Sequence, residues 1–161
     1  MEVKLSASRI KTAQSCSWIY WTKYKQKLPD TNNDGARRGT VCHNVFEFLS
    51  KQKTKTHFNK IVKAQNPFAS KAVEDLIMSD ATEMGVTDED NMSMIKEMIL
   101  NGLSCNFHGE DLGIPDEAYA ELDFDIEQNG YHIRGFIDQL FLYKDKKIAI
   151  IRDYKTSKKI R

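Results

Sequence analysis

The stretch Tyr131-His132-Ile133-Arg134-Gly135-Phe136-Ile137-Asp138-Gln139-Leu140-Phe141-Leu142-Tyr143, then Lys144-Asp145-Lys146-Lys147, then Ile148-Ala149-Ile150-Ile151-Arg152-Asp153-Tyr154-Lys155 decides how this chain is read. The outer pieces are apolar runs of strand length and the middle is a charged turn, so together they predict an antiparallel hairpin. Closing the turn at Asp145-Lys146 sets Asp138 opposite Asp153, with Cβ atoms about 5 Å apart. Two like charges so placed destabilise a sheet unless a cation neutralises them. Hard carboxylate oxygens with room for water suit Mg²⁺ or Mn²⁺. Lys155 follows Asp153 by two residues, and strand periodicity puts its ammonium on the same face. An Asp-x-Lys triplet is common, and on its own it reads as a surface salt bridge.

Upstream, residues 118–127 alternate acidic and apolar groups through Glu121, Leu122, Asp123, Phe124, Asp125 and Ile126, the period of a half-buried strand. Gln128-Asn129-Gly130 supplies a tight turn, because Asn-Gly adopts positive φ at low cost. The carboxyl-terminal part is therefore predicted to be a three-stranded antiparallel meander, its last strand running from Ile148 to Lys155. Before it the grammar is helical. Ser6 and Ser8 can cap a helix, or two short ones, reaching about Tyr24. A polar turn from Pro29 to Gly35 precedes a helix over Thr40–Leu49, where Val41, Val45, Phe46, Phe48 and Leu49 recur at helical spacing. Past the Lys-rich stretch 51–63, Val73, Leu76 and Ile77 mark a third helix, and Met92, Ile95, Met98, Ile99 and Leu103 a fourth. The expected fold is α/β, with amino-terminal helices packed on a mixed sheet.

The 161 residues, 40% hydrophobic and 29% charged, predict one folded domain spanning 1–161, helical over 1–110 with core strands over 118–157. Disordered and collagen-like classes are excluded. No apolar run is long enough to span a membrane, and Met1-Glu2-Val3-Lys4 opens no signal core. Three cysteines, Cys16, Cys42 and Cys105, are too few for a disulfide framework. The expectation is a cytoplasmic protein without a membrane partner. Its charge is segregated: residues 1–65 carry 13 Lys and Arg against 4 Asp and Glu, 66–127 carry 2 against 16, and 128–161 carry 9 against 3. Basic ends attract a polyanion if the fold joins them; alternatively they pair with the acidic middle.

Several motifs fall in the order seen in one family. Gly135-Phe136-Ile137-Asp138 with Asp153-Tyr154-Lys155-Thr156-Ser157, Arg38-Gly39-Thr40-Val41-Cys42-His43 with Glu47 a turn later, and the openings Leu5-Ser6-Ala7-Ser8-Arg9-Ile10 and Cys16-Ser17-Trp18-Ile19-Tyr20 together resemble the PD-(D/E)XK nuclease superfamily, in its RecB-like and CRISPR-associated branch. The resemblance implies a restriction-endonuclease-like core and a metal-dependent DNA nuclease, an exonuclease more readily than an endonuclease, serving recombination, repair or phage DNA processing. It implies that His43, Asp138, Asp153 and the backbone carbonyl of Tyr154 hold Mg²⁺ or Mn²⁺, while Lys155 assists the attacking water. Glu121 takes the place of an acidic residue on the first core strand; equally, it alternates outward on an amphipathic strand. Lys23, Lys25, Lys27, Arg37 and Arg38 are the candidates for DNA phosphate contact.

Ser17 stands where relatives often have Pro, and Ala13 where they often have an aromatic residue. The chain ends at Arg161, where relatives continue into a DNA-contacting helix and further strands. The core is therefore expected to be incomplete at its carboxyl end, finished by a partner subunit or by self-association at the open sheet edge. The rival to the enzyme is a catalytically weak nucleic-acid-binding module of the same fold completed by a partner. Cys16 matches one ligand of the iron-sulfur cluster of some relatives, but no cysteine follows Cys105, so no cluster is expected. A zinc site from Cys42, His43, Cys105 and His108 is disfavoured because Cys42 and His43 are adjacent on a helix, about 100° apart. His57 and His132 are expected to face solvent without partners.

Overall fold

The computed structural model describes residues 4–28, 33–104, 106–109 and 112–155. The sequence readings on Met1–Val3, on Pro29 to Asn32 of the polar turn, on Cys105, and on Thr156 and Ser157 lie outside them. The elements are β1 (Lys4–Leu5), α1 (Ala7–Ser15), α2 (Ser17–Tyr20) running into a π-helical turn (Trp21–Lys25), α3 (Asp34–Ser50), α4 (Lys55–Ala64), α5 (Lys71–Met84), α6 (Glu89–Leu103), β2 (Glu117–Gln128), β3 (Tyr131–Tyr143) and β4 (Ile148–Arg152). The architecture is α/β, with β3 flanked by β2 and also pairing β1 and β4. The chain divides into two compact units, Met1–Thr31 with Glu121–Ile137, and Asn32–Ala120 with Asp138–Arg161.

In the first unit, Ser6 caps α1 by accepting from the Arg9 amide at 3.3 Å, as its short polar side chain suits. Cys16, extended at φ −162° and ψ 113°, breaks the helix before α2. That break is the disrupted rhythm visible in the sequence. β1 pairs with β3 in parallel, Lys4 opposite His132 and Leu5 opposite Ile133, and makes the sheet mixed. Asn129 and Gly130 both take positive φ, 52° and 77°, in the turn to β3, the conformation a tight hairpin demands. A Cβ on Gly135 would lie 2.6 Å from the Phe124 ring, so only glycine lets that ring cover the strand.

In the second unit α3 is the central helix. Asn33 caps it, accepting from the Ala36 amide at 2.9 Å, and the helix therefore starts six residues before the expected Thr40. Gly39, Val41, Cys42, Val45, Phe46 and Leu49 form its buried stripe. Around that stripe close Ile61 of α4, Val73, Ile77 and Ala81 of α5, Ile95, Ile99 and Leu103 of α6, and Phe107. The α4 helix occupies the Lys-rich stretch and has a single buried residue, Ile61.

The register of the second hairpin is Gln139 opposite Arg152, Leu140 opposite Ile151, through to Tyr143 opposite Ile148. It is the pairing that sets Asp138 against Asp153 one step further. The strand nevertheless stops at Arg152, three residues short of its expected end. His57 and His132 are not solvent-facing singles: His57 Nδ1 lies 2.8 Å from Ser70 Oγ, and His132 Nδ1 lies 3.1 Å from Asp125. Both rings are half-buried, and that of His57 lies against Phe48 of α3 with centroids 5.7 Å apart. Among the described residues no helix is long and apolar enough to cross a membrane.

Gly102 sits on α6 where an added Cβ would collide with the Phe46 ring. Alanine in a helix normally stabilises relative to glycine by up to about 1 kcal/mol, but here overpacking costs about 1–3 kcal/mol. Gly102→Ala is thus expected to lower the midpoint of urea unfolding; an unchanged or raised midpoint would show that Phe46 has room to move.

Candidate metal centre

Tyr154, just past the end of β4, is held on both its side chain and its backbone. Its ring packs on Phe46 with centroids 4.6 Å apart and stacks on Phe107 at 5.9 Å. Its hydroxyl donates to Gln139 Oε1 at 2.7 Å. Gln139 is 1% exposed, so its amide oxygen needs such a donor. Arg152 closes the same corner by donating to the carbonyls of Asn106 (2.7 Å) and Phe107 (3.0 Å). A side chain so locked fixes the peptide groups beside it. The Tyr154 amide donates to Asp138 Oδ2 at 2.6 Å, and its carbonyl lies 3.1 Å from His43 Nε2.

The second of those contacts assigns the histidine tautomer. A carbonyl only accepts, so Nε2 carries the proton and Nδ1 presents its lone pair. Nδ1 faces Asp138 Oδ2 at 3.8 Å, too far for a hydrogen bond. Two ligands on one octahedral ion at about 2.1 Å lie about 3 Å apart when adjacent and about 4.2 Å apart when opposite. The pair therefore fits a shared divalent cation with little adjustment, and its imidazole-carboxylate donor set suits Mn²⁺ as well as Mg²⁺. A ligating histidine that donates its other nitrogen to a backbone carbonyl is the usual outer-shell arrangement of such sites. Asp138 is 13% exposed and His43 32%, shielded enough to strengthen ion binding and open enough to admit it.

Asp153 and Lys155 sit differently. Their side chains, 57% and 72% exposed, form an ion pair with each other. Among the described residues Asp153 does not join His43 and Asp138 in a group of ligand atoms within 4.8 Å of one another. The ladder ends at Arg152, and beyond it no cross-strand bond holds the aspartate towards Asp138 while the neighbouring ammonium attracts it. Glu121 lies on β2 with φ 49°, a left-handed conformation rare for a non-glycine residue within a strand. Such local distortions gather near functional sites. Glu47, the acid one turn after His43, is taken up by Lys51 at 2.8 Å.

Arg38 lines a cleft of about 690 Å³ with Gly35, Phe46, Met98, Tyr154 and Lys155 among its walls. Its Nη1 donates to Asn91 Oδ1, and Asn91 is itself fixed by Asp88. Its Nε is buried and, among the described residues, has no hydrogen-bond partner. Arg37 instead pairs with Asp34 at 3.6 Å. Lys23, Lys25 and Lys27 belong to the other unit, all exposed. The roles of Gln139, Asn91 and the Tyr154 side chain were absent from the sequence reading. The one available signal was a glutamine on the strand face that also carries Phe141 and Tyr143.

A model of the PD-(D/E)XK nuclease superfamily matches residues 4–161, and the chain belongs to that superfamily. No curated protein and no solved structure matches it.

Cys42, adjacent to His43, is fully buried, and burial pushes its thiol up to about 12 against the partial opposition of Arg38. In the metal-free protein it therefore stays a neutral thiol at physiological pH. At pH 8.5 iodoacetamide is expected to leave Cys42 unmodified in the native protein and to alkylate it in urea, as read by peptide mass mapping. Native labelling as fast as at half-buried Cys16 would contradict the assignment.

Proposed function

We propose that this chain is a DNA nuclease dependent on Mg²⁺ or Mn²⁺, in which His43 and Asp138 hold the ion and Asp153 completes its carboxylate shell. The observation that carries the reading is the Tyr154 peptide, which turns the His43 lone pair towards the Asp138 carboxylate. An ion bound there would polarise a phosphate and acidify a water at neutral pH. The protein's own residues would do the rest. Asp138 keeps its position because one oxygen is tied to the Tyr154 amide. Lys155, on the wall of the cleft, would exchange Asp153 for the scissile phosphate, leaving Asp153 for the ion and placing an ammonium where charge grows in the transition state. The Arg38 guanidinium, on the wall of the same cleft, would add positive charge near a neighbouring backbone phosphate.

The RecB-like resemblance supports exonuclease rather than endonuclease action. It also supports a place in recombination, repair or phage DNA processing, in the cytoplasm. A second reading keeps the fold as a weakly catalytic nucleic-acid-binding module finished by another subunit. The solvent-turned Asp153 favours it, since with Asp153 left there only two protein ligands of the second unit face each other.

The deciding experiment incubates linear single- and double-stranded DNA, and RNA of the same sequence, with the protein and Mn²⁺ or EDTA. Mn²⁺-dependent shortening of DNA is expected, reduced about 10²-fold or more by Asp138→Asn and by Lys155→Ala. No metal-dependent product from the unaltered chain would favour the binding module, and products from RNA alone would overturn the DNA assignment.

A further inference from the structure

The segment from Lys4 to Leu28 carries Lys4, Arg9, Lys11, Lys23, Lys25 and Lys27 and not one Asp or Glu. Its helices also expose aromatic rings to water. Trp18 is 67% exposed and Trp21 43%, and the two indoles stack with centroids 5.3 Å apart and planes 25° from parallel. Burying these rings would gain free energy, yet they stand outward beside exposed Lys25. Spacing of three and then four residues puts Trp18, Trp21 and Lys25 on one helical face. The helix is locally wound as a π turn over Trp21–Lys25, an irregularity that often marks a functional site. Behind this face Tyr24 is occupied inside the unit, with Arg9 over its ring at 5.1 Å and Tyr20 against it at 5.2 Å. The two tryptophans are thus offered on a support of their own.

We propose that Trp18 and Trp21 form a stacking platform for the bases of single-stranded DNA, with Lys25 beside it to meet the backbone. Every base has a π-face, so aromatic rings beside cations grip a single strand whatever its sequence, whereas a duplex keeps its bases stacked inside. The charge excludes a basic partner surface, and the absence of any carboxylate across the segment removes the repulsion that a phosphate backbone would meet. This assignment rests on the nucleic-acid reading of the chain but not on hydrolysis, since the platform belongs to the first unit and needs no ion.

The protein contains two tryptophans in all, so its intrinsic indole fluorescence reports this platform alone. In EDTA, where no cleavage occurs, added oligothymidylate is expected to quench that fluorescence saturably, while an abasic oligomer of equal length and charge leaves it nearly unchanged. Anisotropy of a labelled oligomer is expected to show about tenfold weaker binding for Trp18→Ala and for Trp21→Ala, largely restored in Trp18→Phe. Equal binding of the abasic oligomer, or affinity unchanged in the alanine variants, would overturn the platform. Fluorescence that shifts with protein concentration while ignoring oligonucleotide would overturn it too, by showing a second copy on the same face. Loss of quenching with Mn²⁺-dependent cleavage intact defeats the platform alone; quenching without cleavage defeats only the nuclease reading.

Discussion

One peptide group, that of Tyr154, organises the second unit of this molecule. Its amide donates to Asp138 and its carbonyl accepts from His43. A buried aromatic cluster and the Gln139 amide hold the side chain between them. An ordinary backbone hydrogen bond contributes about 1 kcal/mol, so neither contact is large by itself. Their value lies in preorganisation: a helix residue and a strand residue far apart in sequence are set 3.8 Å apart with the imidazole tautomer already chosen. The helical core around α3 positions the histidine, the β3–β4 ladder positions the aspartate, and the tyrosine joins the two.

The same geometry explains why the carboxylates behave differently. Asp138 is inside the ladder's reach and shielded, while Asp153 is one residue beyond the last paired position and turns to Lys155 in solvent. An exposed ion pair of this kind contributes little and is readily exchanged. The arrangement keeps the two like charges apart. The segment from Lys4 to Leu28 adds a contrasting surface, with cations and indoles and no carboxylates.

The elements whose residues obey one period were legible in the chain itself. The two hairpin turns, the register that opposes Asp138 and Asp153, and the helices bearing His43, Ile77 and Ile95 follow from alternation, helical spacing and turn chemistry. The α4 helix was hidden because lysines mask a short apolar stripe, and β1 because two residues carry no periodic signal at all. The end of β4 was misjudged since alternation continues in sequence after hydrogen bonding stops. The site was legible as residue types and not as contacts. Nothing local to Tyr154 announces that its backbone binds two other residues, because that depends on Phe46 and Phe107 meeting it across the fold. The partners of His57 and His132 were invisible for the same reason.

The central claim is that His43 Nδ1 and Asp138 share one divalent cation, and anomalous diffraction from crystals soaked in Mn²⁺ tests it most directly. The account predicts a single strong peak within about 2.3 Å of both atoms, with the Asp153 carboxylate swung towards it and away from Lys155. A peak held by other side chains, or none in soaked crystals of the intact protein, would contradict it.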